Sequence, residues 1–267
     1  MSAVARAPAL VDPALVQARR RRRLVLTGRG IFFGVVLLGW QALGPALDPL
    51  VFSDPLAIGR RIVEWVGSGA IVPHLVVTLE ELALGYALGA AVGIVAGFVL
   101  GSNEIVAGIL DPVIISVYGI PKIALAPLFV VWFGIALTPK VVLVAVLVFF
   151  LVFFSTFHGV RGVDPDLLNA VVLMGASRAQ VRRWVVVPSA LSAIFLGLKM
   201  AVPEALVGAV VGEMIVSSRG IGYLIQFATS QLDTAGVFAG LILLMILALI
   251  VNGAVNWVST TKGKDAR

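Results

Sequence analysis

Six stretches of this chain, at about residues 31–47, 75–100, 123–137, 139–157, 191–216 and 237–258, are almost wholly apolar. A helix needs about 20 such residues to cross the roughly 30 Å hydrocarbon core of a bilayer. All but the third run reach or approach that length. None shows the sustained alternation of a transmembrane barrel strand, so each reads as a helix. The bulk composition agrees, with 60% hydrophobic and 13% charged residues and a mean hydropathy of +1.07, far from soluble averages. The expected fold class is an all-α membrane protein with six transmembrane helices.

The polar segments set the boundaries. Residues 1–28 contain Pro8, Pro13 and the run from Arg19 to Arg23, a basic tail expected to stay unpacked and in the cytoplasm. The apolar run after it is long and lacks a small-residue cleavage site, which argues against a secretory signal. Residues 29–262 are expected to form one transmembrane domain, and residues 263–267 a second polar tail. Between the first two spans, Asp54-Pro55 reads as an N-cap and first helical residue of a short surface helix near residues 58–66.

The second span carries Gly85, Gly89, Gly93, Gly97 and Gly101 at strict four-residue spacing. In lipid such a stripe lets two helix backbones approach, so the expectation is close packing within the chain, with a subunit contact as the rival. Farther on, an apolar run at residues 105–117 stops at Tyr118-Gly119-Ile120-Pro121 before the short third span, which contains Pro127. Broken helices at membrane depth persist where protein or a water-filled cavity covers the freed backbone. This break therefore reads as a pathway lining or as an ordinary packing bend.

Charge orients the bundle. With both termini inside, 15 of the 20 Lys and Arg fall on the inner side, against Arg60, Arg61, Lys140 and Arg219 outside, with Lys199 inside span five. Basic residues favour the cytoplasmic face, so both termini are expected there. The +6 net charge is thus accounted for without nucleic acid. The absence of cysteine, with only His74 and His158 as histidines, leaves little for a metal site.

Residues 158–188 form a polar island on that inner side. Asp164 N-caps a helix opened by Pro165, and Gly175 supplies its stop. Ser177 then N-caps a second helix expected to end near Pro188. Leu173, Met174, Gly175 and Ala176 lie at the bend, where exposed apolar residues suit a groove in a partner protein. The competing reading lays both helices on lipid headgroups, with Arg182 and Arg183 at phosphates.

The island resembles the EAA loop of permease subunits of binding-protein-dependent ABC importers. In that loop Glu-Ala-Ala, three residues, Gly, nine residues, Ile, one residue and Leu-Pro follow in fixed order. Here Asn169-Ala170-Val171, Gly175, Val185 and Val187-Pro188 keep every spacing, while Asn169 replaces the acidic residue. The likeness extends over residues 52–257 to the branch serving sulfonates, taurine, nitrate and related solutes. It is carried by Ile120-Pro121-Lys122-Ile123-Ala124-Leu125-Ala126-Pro127-Leu128, Trp132-Phe133-Gly134-Ile135, Thr156-Phe157-His158-Gly159-Val160-Arg161, Val211-Gly212-Glu213-Met214 and Gly220-Ile221-Gly222-Tyr223-Leu224-Ile225.

The resemblance implies the type I, MetI-like architecture in a bacterial inner membrane. It implies a dimer of permeases, two cytoplasmic ATPases and an external binding protein. Asn169, Ala170, Leu173, Met174, Gly175, Ala176, Arg178 and Pro188 would form the ATPase-coupling segment. ATP and magnesium would bind the ATPase, and no cofactor this chain. The residues themselves agree that energy comes from elsewhere, since no G-x-x-x-x-G-K-[ST] phosphate loop occurs, and no nucleophile-base arrangement accompanies Glu80, Glu81, Asp164 or Asp166.

Span five is interrupted by Lys199, Pro203, Glu204 and Glu213. A charge at mid-membrane costs at least about 2–3 kcal/mol on insertion scales, so these residues read as pathway candidates or as structural pairs between helices. A channel or ion-coupled carrier driven by these charges is the alternative to an importer, and a membrane scaffold is a third reading.

Overall fold

In the computed structural model, residues 13–44, 48 and 50–264 are described, and every regular element among them is helical. The chain runs α1 (Pro13–Leu43), α2 (Pro55–Gly67), α3 (Ile71–Gly101), α4 (Glu104–Tyr118), a 3-10 turn (Lys122–Leu125), α5 (Ala126–Phe133), α6 (Leu137–Arg161), α7 (Pro165–Leu173) and α8 (Arg178–Val181). A π turn (Arg182–Val186), α9 (Val187–Val216), α10 (Ile221–Ser230) and α11 (Thr234–Lys264) complete it. Residues 13–28, expected as an unpacked tail, are helical and continue directly into the first span; residues 1–12 and 265–267 lie outside the described part.

Among the described residues, five helices are long and apolar enough to cross a membrane: Leu24–Leu43, Ile71–Gly101, Leu137–Arg161, Arg178–Val216 and Thr234–Val255. The expected third span is shorter. Its 3-10 turn and the eight residues of α5 cover only about 20 Å at their normal rises, less than a hydrocarbon core. Gly134, at φ +77°, ends α5. The break foreseen at residues 118–121 is present between α4 and the 3-10 turn.

The core is a layer of α3, α6 and α9, with α10 and α11 closing over it. Val144, Val148 and Val152 of α6 pack with Ala201, Ala205 and Ala209 of α9, and Ile221, Ile225 and Leu247 join the cluster. The glycine stripe holds α3 against α6. A Cβ on Gly93 would stand 3.0 Å from the Phe149 carbonyl oxygen, one on Gly97 2.8 Å from that of Phe153, and one on Gly101 3.1 Å from that of Phe157. Gly85 and Gly89 meet Val144 and Ala145 in the same way. Both sides advance by four residues in the same direction, so α3 and α6 are parallel and their backbones touch along five turns. The stripe is therefore spent on intrachain packing.

On its other side α6 meets α9 antiparallel, through Gly197 on Ser155, Gly208 on Val144 and Gly212 on Lys140. The Tyr86 hydroxyl of α3 donates to the Leu198 carbonyl, 2.7 Å, tying the outer two helices together. Asp54 caps α2 as expected, accepting from the Leu56 and Ala57 amides at 3.0 Å each. It also accepts from Gln41 of α1 at 3.0 Å, so one cap joins two elements.

Candidate functional site

The polar island folds into the two short helices its caps dictate. Asp164 accepts from the Asp166 amide, 2.9 Å. At the far end of α7 the Gly175 amide donates to the Val172 carbonyl, 2.9 Å, and the Ala176 amide to that of Val171, 3.3 Å. With Gly175 at φ +86°, this pair of bonds is a Schellman turn, which requires the left-handed conformation that glycine adopts at no steric cost. Ser177 and Gln180 then form a reciprocal capping box, with the Ser177 amide donating to Gln180 Oε1 at 2.8 Å.

The turn projects Leu173 and Met174 away from the bundle, 87% and 86% exposed. Asn169, Ala170, Gly175 and Arg178 are exposed around them, and Ala176 is half-buried. Two expectations need correction at the island's ends. His158 lies in the last turn of α6, so the loop proper starts later. The second helix does not end at Pro188, because α8, the π turn and α9 form one 39-residue rod. In the π turn the Val187 amide reaches back to the Arg182 carbonyl. That widening gives the Pro188 ring room and absorbs its missing donor.

The charged residues of span five separate into different environments. Glu213 is 1% exposed, accepting from the Thr78 hydroxyl at 2.6 Å and from the Gly222 amide at 2.6 Å. Thr78 in turn accepts from the Ile221 amide, 3.0 Å. Glu213 is thus the carboxylate cap of α10, whose own N-cap is Gly220 with no side chain to offer. The geometry is that of a turn clamp, one of the two roles open from the sequence. Lys199 is half-buried and five residues from Glu204, more than a third of a turn around α9 from it.

Beside the clamp, Glu81 of α3 forms a buried ion pair with Lys140 of α6. Lys140 was expected on the outer side of the membrane. It and Glu81 are 7% and 0% exposed because the glycine-mediated approach of α3 to α6 brings them together. They adjoin an open pocket of about 640 Å³ at the bundle end opposite the island, with Glu80, Ser217, Ser218 and Arg219 on its rim.

Glu204 is exposed on α9 immediately after Pro203, which lacks the amide that would bond the Lys199 carbonyl. It lines a smaller pocket, about 260 Å³, with Pro121, Lys122, Ile123, Leu147, Phe150 and Leu151. Lys122 Nζ lies 4.8 Å from the centre of the Phe150 ring. The broken third span therefore does line a cavity. Lys122 and Phe150 were not singled out from sequence; the signal that marks Lys122 is a lone charge directly after a helix break.

Residues 89–262 match the family described as binding-protein-dependent transport system inner membrane component. The chain belongs to that family. It is a permease subunit of a binding-protein-dependent ABC importer, a multi-pass inner-membrane protein. The putative aliphatic sulfonates transport permease SsuC of Bacillus subtilis is 32% identical over 85% of this permease and 84% of its own length. The taurine transport system permease TauC of Escherichia coli is 32% identical over 81% and 82%. The formylaminopyrimidine transport permease ThiX of Halalkalibacterium halodurans is 31% identical over 85% and 90%. The fold is shared with a chain of the inward-facing MetNI methionine ABC transporter, with a TM-score of 0.57 at 19% identity over 74% of this permease and 97% of that chain.

Proposed function

We infer that this permease forms, as a homodimer, the membrane pathway of an ATP-driven importer for a small sulfonate-, taurine- or nitrate-like solute delivered by an external binding protein. Two ATPase subunits, which carry the ATP and magnesium, dock on the turn at residues 173–176 from the cytoplasm, where both termini also lie. The observation that carries this reading is that turn: two large apolar side chains, about seven-eighths exposed, held by a Schellman turn at the motif's fixed glycine. Apolar anchors presented by a short rigid helix suit a groove in a partner. The relatives named for sulfonates and taurine support the solute class, and the excess of basic residues on the island side supports the orientation.

The chain contains no cysteine, so a single Met174→Cys substitution places one unique thiol on the turn. Co-expressed with its ATPase in membranes, this variant should cross-link to the ATPase through a short bifunctional maleimide when the ATPase carries a cysteine in its docking groove. A Leu84→Cys control on the apolar outer face of α3 should not. Equal cross-linking from both positions, or none from Met174→Cys in a membrane that holds assembled ATPase, rejects the docking assignment.

A further inference from the structure

The helix α1 carries six arginines, Arg19 to Arg23 and Arg29, and residues 13–47 contain no aspartate or glutamate. It runs unbroken through the arginines into the apolar span. Five consecutive helical residues step by about 100° each, so the run takes every side of α1 and forms a collar rather than a face. Like charges three and four residues apart on a helix repel, and α1 offers no carboxylate against them. Anions from outside the helix would relieve that repulsion.

The height of the collar follows from the span beside it. Leu24–Leu43 has 20 residues, about 30 Å of helix, which equals the hydrocarbon core. Arg19 to Arg23 add about 7 Å, the thickness of one headgroup layer in a bilayer of about 40–45 Å. Arg29, exposed inside the span, has a stem long enough to snorkel toward the same layer. No residue of the span is buried. The hydrogen bonds described between α1 and other elements lie at its opposite end, where the Trp40 indole donates to the Ser53 carbonyl, 2.8 Å, and Gln41 to Asp54, 3.0 Å. That end adjoins α2 and the start of α3, and α3 runs parallel to α6 toward the island, so the collar lies on the island's side of the membrane.

We propose that the collar binds anionic phospholipid headgroups of the leaflet on the island's side, and that these lipids anchor this end of α1. Basic clusters directly beside a membrane span gain from the surface potential of anionic leaflets, and guanidinium groups pair with phosphate oxygens in bidentate fashion. A groove in a protein engages one side of a helix. Headgroups surround it, which matches a charge run that takes every side.

The test uses the full chain in proteoliposomes. Because the chain has no cysteine, Leu24→Cys places a single fluorophore beside the collar, and Leu43→Cys places one at the other end of the span. Quenching is compared between phosphatidylglycerol and phosphatidylcholine, each spin-labelled near the headgroup. At Leu24→Cys the anionic lipid should associate at least about fivefold more strongly, the effect of one basic residue near an anionic surface. At Leu43→Cys the two lipids should quench alike. Raising salt from about 0.1 M to about 1 M shortens the screening length from about 10 Å to about 3 Å and should lower the preference by about twofold or more, a result that needs no arginine substitution. Arg19→Gln, Arg20→Gln, Arg21→Gln, Arg22→Gln and Arg23→Gln made together should abolish the preference, and lysine at the same five positions should keep it. Equal quenching by the two lipids at Leu24→Cys, the same preference at both ends, a preference indifferent to salt, or one that survives the glutamine variant overturns the proposal. Loss in the lysine variant also overturns it, because charge is then not what the lipid reads. A glutamine variant that keeps the lipid preference but no longer co-purifies with an ATPase overturns it too, and assigns the collar to a protein partner.

Discussion

Gly97 rests on the backbone of Phe153: a Cβ added to the glycine would stand 2.8 Å from the Phe153 carbonyl oxygen and equally close to Thr156 Cβ. Because the same relation repeats a turn away at Gly93 and Gly101, the separation of α3 and α6 is set by the absence of side chains along one line. Gly97→Leu cannot be accommodated by rotation of the neighbouring side chain, since the obstacle is main chain. We expect it to destabilise the bundle by about 1–3 kcal/mol or more, the usual range for overpacking. A thermal-melting series in detergent checks this, with Gly108→Leu, where nothing lies within 4 Å, as the silent control.

The pairing of Glu81 with Lys140 makes a second prediction. Removing one member of a buried pair leaves the other charge uncompensated, at a typical cost of about 3–5 kcal/mol. Glu81→Gln and Lys140→Met should each destabilise strongly, whereas the double variant should recover much of the loss. Additive losses in the double-mutant cycle would show that the two residues act independently.

Orientation is testable with the same cysteine-free background. Ser218→Cys lies on the loop between α9 and α10, at the bundle end opposite the island. In intact cells whose outer membrane has been permeabilised, a membrane-impermeant maleimide should label Ser218→Cys and spare Met174→Cys. Inverted membrane vesicles should reverse the pattern.

Asp54 gives a pH dependence. Its bond from the Ala57 amide, followed by that from Gln41, holds its carboxyl below the usual carboxylate range. A depressed folded pKa means that the cap's contribution is fully present above the unfolded value of about 3.9, and is lost as pH falls through the lower folded value. Protection of the Leu56 and Ala57 amides from hydrogen exchange, corrected for intrinsic rates, should therefore persist to below about pH 3.9 and then fall. In Asp54→Asn, which keeps an acceptor but has no carboxyl to protonate, that step should disappear.

Local chemistry made much of this architecture legible in the sequence. Asp54, Asp164, Ser177 and Gly175 each act on backbone groups a few residues away, and each cap or stop falls where its residue type requires. The glycine stripe was equally legible, because its meaning depends only on spacing. Pro188 misled because a π turn a few residues earlier compensates a residue that ordinarily ends a helix. The Glu81–Lys140 pair and the Lys122, Phe150 and Glu204 pocket depend on the register between distant helices. No local pattern encodes that register, and of these residues only Glu204 stood out in the sequence as a charge within a span. Asn169, at the family's acidic position, is exposed on α7, consistent with a surface turn that forms without that carboxylate.

This permease should move solute only when an ATPase works through the turn at Gly175. The most direct measurement is uptake of radiolabelled solute into proteoliposomes containing the permease, its ATPase and its binding protein, with each component and ATP omitted in turn. Uptake should require all four. It should be lost in Gly175→Val, where a β-branched side chain is forced to φ +86°, although the variant still inserts in the membrane. Uptake by the permease alone down an ion gradient, or undiminished uptake by Gly175→Val, would contradict the account.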